Sequence, residues 1–286
     1  MKFLLMVPKK FINLHLSIPE EQFDLAYYAL EKYPLIGVEE CLDELIISFN
    51  QLDYSHELRD SVIAELTHST IPVNVIKEDV IEDKNWNSEW EQSLAPVIVS
   101  ERVAITPECK LKDVTQELTI IINPKMSFGT GYHPTTRMVC RLLEQNVTPN
   151  STWIDAGMGT GVLAILAAKL GAQSVFAFDN DEWSVDNAQE NIEVNKVVEV
   201  VKSSKADVFT VELPESDGIC ANLYRNLLIP NFPKLLSSLT KSHGCLIVSG
   251  ILKYDIDEII EAAETTGFIH QETIIENEWA AIRFSA

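Results

Sequence analysis

Basic side chains are scarce in this sequence: 22 Lys and Arg stand against 43 Asp and Glu, a net charge of −21. A surface that neutralises nucleic-acid phosphates needs clustered Lys and Arg, so this balance argues against direct nucleic-acid binding. The acid would steer a basic partner towards the chain, although it also serves plain solubility. Cysteine is thin as well. Cys41, Cys109, Cys140, Cys220 and Cys245 are odd in number and form no C-x-x-C pair, which fits free thiols in a reducing cytoplasm. The six histidines are dispersed and no metal-ligand cluster is visible. No apolar run approaches the roughly 18 residues that span a membrane, and the apolar core of MKFLLMVPKK is too short for a signal peptide. Met6 is a second candidate initiator. The expectation is a cytoplasmic, monomeric protein with no metal. At 286 residues it has room for two domains or one large one.

Glycine is sparse too, 11 in the chain, yet three occupy alternate positions, Gly157, Gly159 and Gly161. They lie in TWIDAGMGTGVLAILAAKLGAQSVFAFDND, residues 152–181. Trp153 and Ile154 begin an apolar run that stops at Asp155. After the glycines, Val162, Ile165, Leu166 and Leu170 recur at helical spacing and predict an amphipathic helix. Val175 to Phe178 form a second apolar strand, stopped by Asp179. Strand, glycine turn, helix and strand make a right-handed βαβ unit. Glycine permits positive φ and lets a ligand press on the main chain, while an acid ending the second strand can accept both hydroxyls of a ribose. This is a nucleoside site. Two ligands fit it. A dinucleotide pattern survives as Gly159, Gly161 and Ala164 with Asp179 at the expected distance. Asp155, however, would repel a pyrophosphate and suits the ammonium group of S-adenosylmethionine, and D-x-G-x-G-x-G is similar to the first motif of class I methyltransferases.

Upstream, residues 1–81 contain a βαββαβ pattern of ferredoxin-like, α+β type. Ile12 to Ile18 alternate as a strand, and Pro19 and Glu20 open a helix with Phe23, Ala26, Tyr27 and Leu30 on one face. A hairpin turning at Asp43 and Glu44, a helix marked by Leu58, Val62 and Leu66, and a strand from Val73 to Ile81 complete it. One face of such a sheet lacks helices, which suits partner recognition. Residues 82–95 predict a linker helix with Trp86 and Trp90 on one face. Residues 96–286 would be the second domain, entered through a short antiparallel element, Pro96 to Thr106 and Leu118 to Asn123. NPKMSFGTGYHPTT, Asn123 to Thr136, then leads into a helix running to about Glu144. It reads either as an ordinary loop capped by Thr135 or Thr136, or as a glycine-hinged lid.

FGTGYHPTT, then DAGMGTG, then ANLYRNLL and LIVSGIL, together resemble the methyltransferases of protein eleven of the large ribosomal subunit. WNSEW, Trp86 to Trp90, is also similar, and the likeness runs from about Trp86 to the C-terminus. Within residues 1–81 it is one of layout. The resemblance implies a Rossmann-like class I methyltransferase sheet with a closing antiparallel hairpin. It implies S-adenosylmethionine as cofactor and the ribosomal protein as substrate, methylated on lysine side chains and its terminal amine. Thr136, Gly157, Asp179 and Asn222 would bind the cofactor. Phe128, Thr130 and Gly131 would form the lid, and Gly159 and Gly161 would allow close approach. Asp207, after a third strand at Val198 to Val201, stands where such folds place an adenine contact, or in a plain surface turn. Asn222, delivered by a strand at Gly218 to Ala221, offers both a donor and an acceptor to the methionine end or to an incoming amine. The family's ANIL is ANLY here, so Tyr224 departs beside the pocket. The N-P-P-Y of glutamine-directed enzymes is absent. Pro230 to Leu239 predicts a further helix, Cys245 to Val248 a fifth strand, and Ile269 to Ile275 with Trp279 to Phe284 a closing hairpin. Another amine acceptor, or an inactive relative that only binds the ribosomal protein, stays open.

Overall fold

Alternation of apolar and polar residues places Leu14 and Leu16 of β1 (Lys10–Ser17) on one sheet face and Asn13 and His15 on the other. The computed structural model describes residues 10–82, 94–125, 127–240 and 244–286. The chain divides into two compact units, Met1–Trp86 and Asn87–Ala286. In the first, β1 is followed by α1 (Phe23–Leu30), β2 (Leu35–Cys41), β3 (Glu44–Asn50), α2 (His56–His68) and β4 (Asn74–Glu82). The sheet order is β2-β3-β1-β4 with every pairing antiparallel, the split βαβ arrangement. Leu14, Leu16, Leu45, Ile47 and Phe49 pack under the helices with Phe23, Leu30, Val62 and Leu66. The opposite face carries Glu39, Glu44, Asp79 with its ion-pair partner Lys77, and His15, whose Nδ1 lies 2.5 Å from the Glu44 carboxylate. The expected linker helix with Trp86 and Trp90, and the start of the chain, fall outside the described residues.

The second unit opens with β5 (Val97–Ile98), β6 (Val103–Thr106) and β7 (Leu118–Ile121). Only β5 and β6 are antiparallel; β7 runs parallel to β6, which corrects the all-antiparallel expectation. The connection between β6 and β7 contains a 3-10 turn, Glu108–Asp113, and is long enough to carry the chain back to the same end. After α3 (Pro134–Asn146) come β8 (Thr152–Ala156), α4 (Val162–Lys169), β9 (Ser174–Asp179), α5 (Glu182–Val194), β10 (Val201–Lys205), β11 (Gly218–Asn222) and α6 (Arg225–Ser238). β12 (Cys245–Leu252), α7 (Ile256–Thr266), β13 (Ile269–Glu276) and β14 (Trp279–Ser285) finish the fold. The strands lie in the order β10-β9-β8-β11-β12-β14-β13, parallel from β10 to β12 and antiparallel in the final hairpin. This is the expected Rossmann-like sheet with its closing hairpin.

Three local expectations are corrected. α4 is not amphipathic: Val162 to Ala167 are all buried, because the helix is enclosed by α3, α5 and the strands β7 to β10. The third strand begins at Val201, since Lys196 takes a left-handed φ of 60° and Val197 to Val200 close a turn. α6 starts at Arg225 and holds Pro230 and Pro233 in its interior rather than beginning at Pro230. Among the described residues no helix is long and apolar enough to cross a membrane.

Candidate active site

β8 is flanked by β9 on one side and β11 on the other, so successive connections leave it in opposite directions. Open α/β sheets bind ligands in the crevice above such a point. A cavity of about 720 Å³ lies there, over the carboxyl ends of β8 to β11. Its floor is the glycine turn. Gly157 and Gly159 hold left-handed φ values of 77° and 51°, and a Cβ on either would collide, with Leu223 and with the Phe128 carbonyl respectively. The close approach reserved for a ligand is thus partly occupied by the chain's own Phe128 and Leu223. Gly161 starts α4 and faces Ala188 of α5, away from the cavity.

The acids divide sharply. Asp155 is fully buried beneath the turn, accepting the Ala164 N–H at 3.0 Å, with the Cys220 thiol 3.6 Å from its other oxygen. It does not line the cavity. Burial pushes its carboxyl up to about 7, against the Ala164 and Cys220 hydrogen bonds and with help from Asp179. Near neutral pH it is a partly protonated internal acid rather than a surface anion. Asp179 ends β9 at the cavity wall and accepts the N–H groups of Gly159 at 2.9 Å and Asp181 at 3.1 Å. Each oxygen keeps a lone pair, enough for the two hydroxyls of a ribose. Pairing of β10 with β9 sets Lys205 beside Asp179, and Asp207 follows at the rim, accepting the Phe209 N–H at 2.7 Å. Lys234 of α6 steadies that loop through the carbonyls of Val208 at 2.8 Å and Val211 at 3.2 Å.

Opposite these acids, β11 delivers Asn222 and the first turn of α3 delivers Thr136. The Thr136 hydroxyl is buried at the wall with no hydrogen-bond partner. That orphaned group, with Asp179, Asp207 and Asn222 around the same space, fits the polar ends of S-adenosylmethionine. α3 is capped by His133 rather than by Thr135 or Thr136; its Nδ1 accepts the Thr135 N–H at 3.4 Å. Pro134 at the first helical position needs no such partner, so the cap reaches past it. The His133 Nδ1 also lies 2.7 Å from the Thr135 hydroxyl, and burial and then Arg137 hold the imidazole below its usual range.

His133 also joins an aromatic wall. Its ring lies 5.3 Å from Phe128 and 4.6 Å, edge-on, from Trp279. Phe128, His133, Tyr224 and Trp279 all line the cavity, and Asp179 and Asp207 are the carboxylates that do so among the described residues. Thr130 and Gly131 stand back from the wall. Gly131 packs on Ile105 and Val97, and the Thr130 hydroxyl accepts the Tyr132 N–H at 3.4 Å. Trp279, brought from the far end of the chain, carried no local signal as a site residue. Leu223 and Phe209 were equally silent.

A family model described as ribosomal protein L11 methyltransferase (PrmA) matches residues 28–286. The match begins inside α1, so it reaches further into the amino-terminal unit than the motifs alone suggested. A ribosomal protein L11 methyltransferase of Chlorobaculum tepidum is 33% identical over 277 residues, 94% of each chain. One from Bacillus cereus is 36% identical over 270 residues, 89% of this chain and 83% of its own. The crystal structure of a ribosomal protein L11 methylase from Lactobacillus delbrueckii subsp. bulgaricus superposes with a TM-score of 0.61 at 29% identity, covering 67% of this chain and 98% of that one. The chain belongs to the ribosomal protein L11 methyltransferase family.

Proposed function

We propose that the protein transfers methyl groups from S-adenosylmethionine to lysine side chains and the terminal amine of ribosomal protein L11. One observation supports this most directly: a single cavity gathers Asp179, Asp207, Asn222 and the unpartnered Thr136 hydroxyl above the glycine turn. S-adenosylmethionine supplies an electrophilic methyl on a positively charged sulfonium. Asp179 takes the ribose hydroxyls, Asp207 the adenine end, and Thr136 and Asn222 the methionine end. Gly157 and Gly159 shape the floor, with Gly161 setting α4 and Asp155 bracing the turn from beneath. Phe128 covers the site, and Thr130 and Gly131 carry that cover on its loop.

The acceptor amine must arrive unprotonated and aligned, so most of the catalysis is positioning. A lysine amine has an ordinary pKa of about 10.4, which opposes reaction near neutrality. Phe128, Tyr224, His133 and Trp279 give it a wall without a carboxylate, where desolvation favours the neutral amine. Asn222 orients it. The amino-terminal unit would hold the acceptor protein, and Glu39 and Glu44 on its helix-free face suit a basic one. The protein would act as a cytoplasmic monomer without touching nucleic acid, in keeping with its net charge of −21.

The test is incubation with labelled S-adenosylmethionine and free large-subunit ribosomal proteins, followed by mass spectrometry of each. Label confined to L11 is the expected result. Label elsewhere would change the acceptor, and none despite cofactor binding would favour a binding protein without turnover.

A further inference from the structure

Two pieces of the cavity wall come from distant stretches: the 128–133 loop, which runs straight into the first turn of α3, and the closing hairpin. One arginine of that turn touches both. Arg137, one turn into α3, donates through Nη1 to the Gly131 carbonyl at 3.0 Å and to the Tyr132 carbonyl. Its Nε donates to Glu276 Oε1 at 2.9 Å, and Nη2 reaches the same oxygen. Glu276 ends β13 and pairs across the hairpin with Trp279, whose indole meets the His133 ring. Arg141, one turn further along α3, donates to Glu276 Oε2 at 2.8 Å and to the Val99 carbonyl at 3.1 Å. Arg137 and Glu276 are only 18% and 24% exposed, so the cluster is screened less than a surface pair would be.

We propose that Arg137, locked to Glu276, is a positioning residue for the acceptor amine: it fastens the 129–132 loop and the hairpin to α3, so that His133 and Trp279 form one fixed wall. The proposal rests on the methyl-transfer reading above. Arg137 itself does not line the cavity, so it acts through those rings. Guanidinium is needed rather than charge alone. Its rigid fork serves a carboxylate on one edge and two successive carbonyls on the other, whereas an ammonium is a point charge that cannot hold both. The direction of the effect is set by where the cluster lies. It adjoins the aromatic side of the cavity, while the acids that suit adenosine, Asp179 and Asp207, are on β9 and beyond β10.

Arg137→Lys and Glu276→Gln test this in the full chain. Each should lower kcat/KM for the acceptor protein roughly ten- to a hundredfold, a larger factor than any accompanying rise in the Kd for S-adenosylhomocysteine. Amide hydrogen exchange should quicken together in residues 128–133 and 276–280, two segments that no local change would couple. The proposal is overturned if Arg137→Lys keeps full turnover with unchanged exchange. It is equally overturned if activity falls only in step with the midpoint of global unfolding, which would make the cluster a stabilising ion pair. Exchange is read without any acceptor, so a wild-type protein that fails to methylate L11 would remove the functional reading and leave the clamp decided on its own.

Discussion

The hydroxyl of Thr160 donates to the Gly129 carbonyl at 2.8 Å, and its N–H donates to the Phe128 carbonyl at the same distance. The glycine turn under the cavity and the loop over it are therefore joined by one residue, through its side chain and its main chain. Thr160→Val keeps the shape but strands the buried Gly129 carbonyl, which costs about 1–3 kcal/mol when no partner replaces it. Chemical denaturation should show that loss, accompanied by weaker cofactor binding, and Thr160→Ser should restore both. A valine variant as stable as the parent would mean that the loop is held elsewhere.

Asp179 is already saturated on one side by two backbone N–H groups, which aims its remaining lone pairs into the cavity. Removing the carboxylate in Asp179→Ala should weaken S-adenosylmethionine binding by more than about tenfold, since charged hydrogen bonds contribute about 1.5–3 kcal/mol. Calorimetric titration reads this directly. An unchanged dissociation constant would take Asp179 out of the site.

Asp155 makes a signed prediction about pH. Its folded pKa of about 7 stands above the ordinary 3.8, so the folded state keeps a proton that the unfolded state releases between those values. The stabilisation from that proton is complete below pH 3.8 and lost as pH rises through about 7. Asp155→Asn cannot ionise and lacks this slope. The variant should gain on the wild type by up to about 4 kcal/mol as pH rises from about 4 to 8, a gap of about 3 pH units at about 1.4 kcal/mol each. Urea titrations at several pH values give the difference, and a flat line across that range would show that Asp155 ionises normally.

Phe128 and Tyr224 are 53% and 70% exposed, so in the proposed role each would dry the acceptor amine only in part. Replacing either by Ala should rehydrate the amine, raise its pKa, and move the rising limb of the pH–rate profile to higher pH by roughly half a unit. Turnover at neutral pH should fall accordingly. Profiles and turnover unchanged in both variants would exclude a desolvating role for the rings.

Much of this was legible in the sequence because it is locally encoded. The alternation of Ile12 to Ile18, the three glycines at 157, 159 and 161, and the acid that ends Val175 to Phe178 each report a backbone geometry within a few residues. Asp179, Thr136 and Asn222 could be named because strand ends and helix starts are themselves local features. The errors fell where a neighbour outvoted local pattern. α4 was read as amphipathic from the spacing of Val162, Ile165 and Leu166, yet Val162 to Ala167 are all apolar and all buried, enclosed by α3, α5 and the strands β7 to β10. β7 runs parallel to β6 because the intervening turn, not the strand residues, sets direction.

Local sequence was enough for the elements, the glycine turn and the acid at the end of β9, since φ preferences and hydrophobic periodicity act over one or two turns of chain. Which acid stays inside and which faces the cavity was settled by long-range packing: Asp155 and Asp179 both end or nearly end a strand, but α4 closes over the first alone. It also decided that Trp279 meets His133 and that Arg137 reaches Glu276. Those contacts depend on the order β11-β12-β14-β13, which long-range packing of the sheet sets and no short stretch of sequence contains.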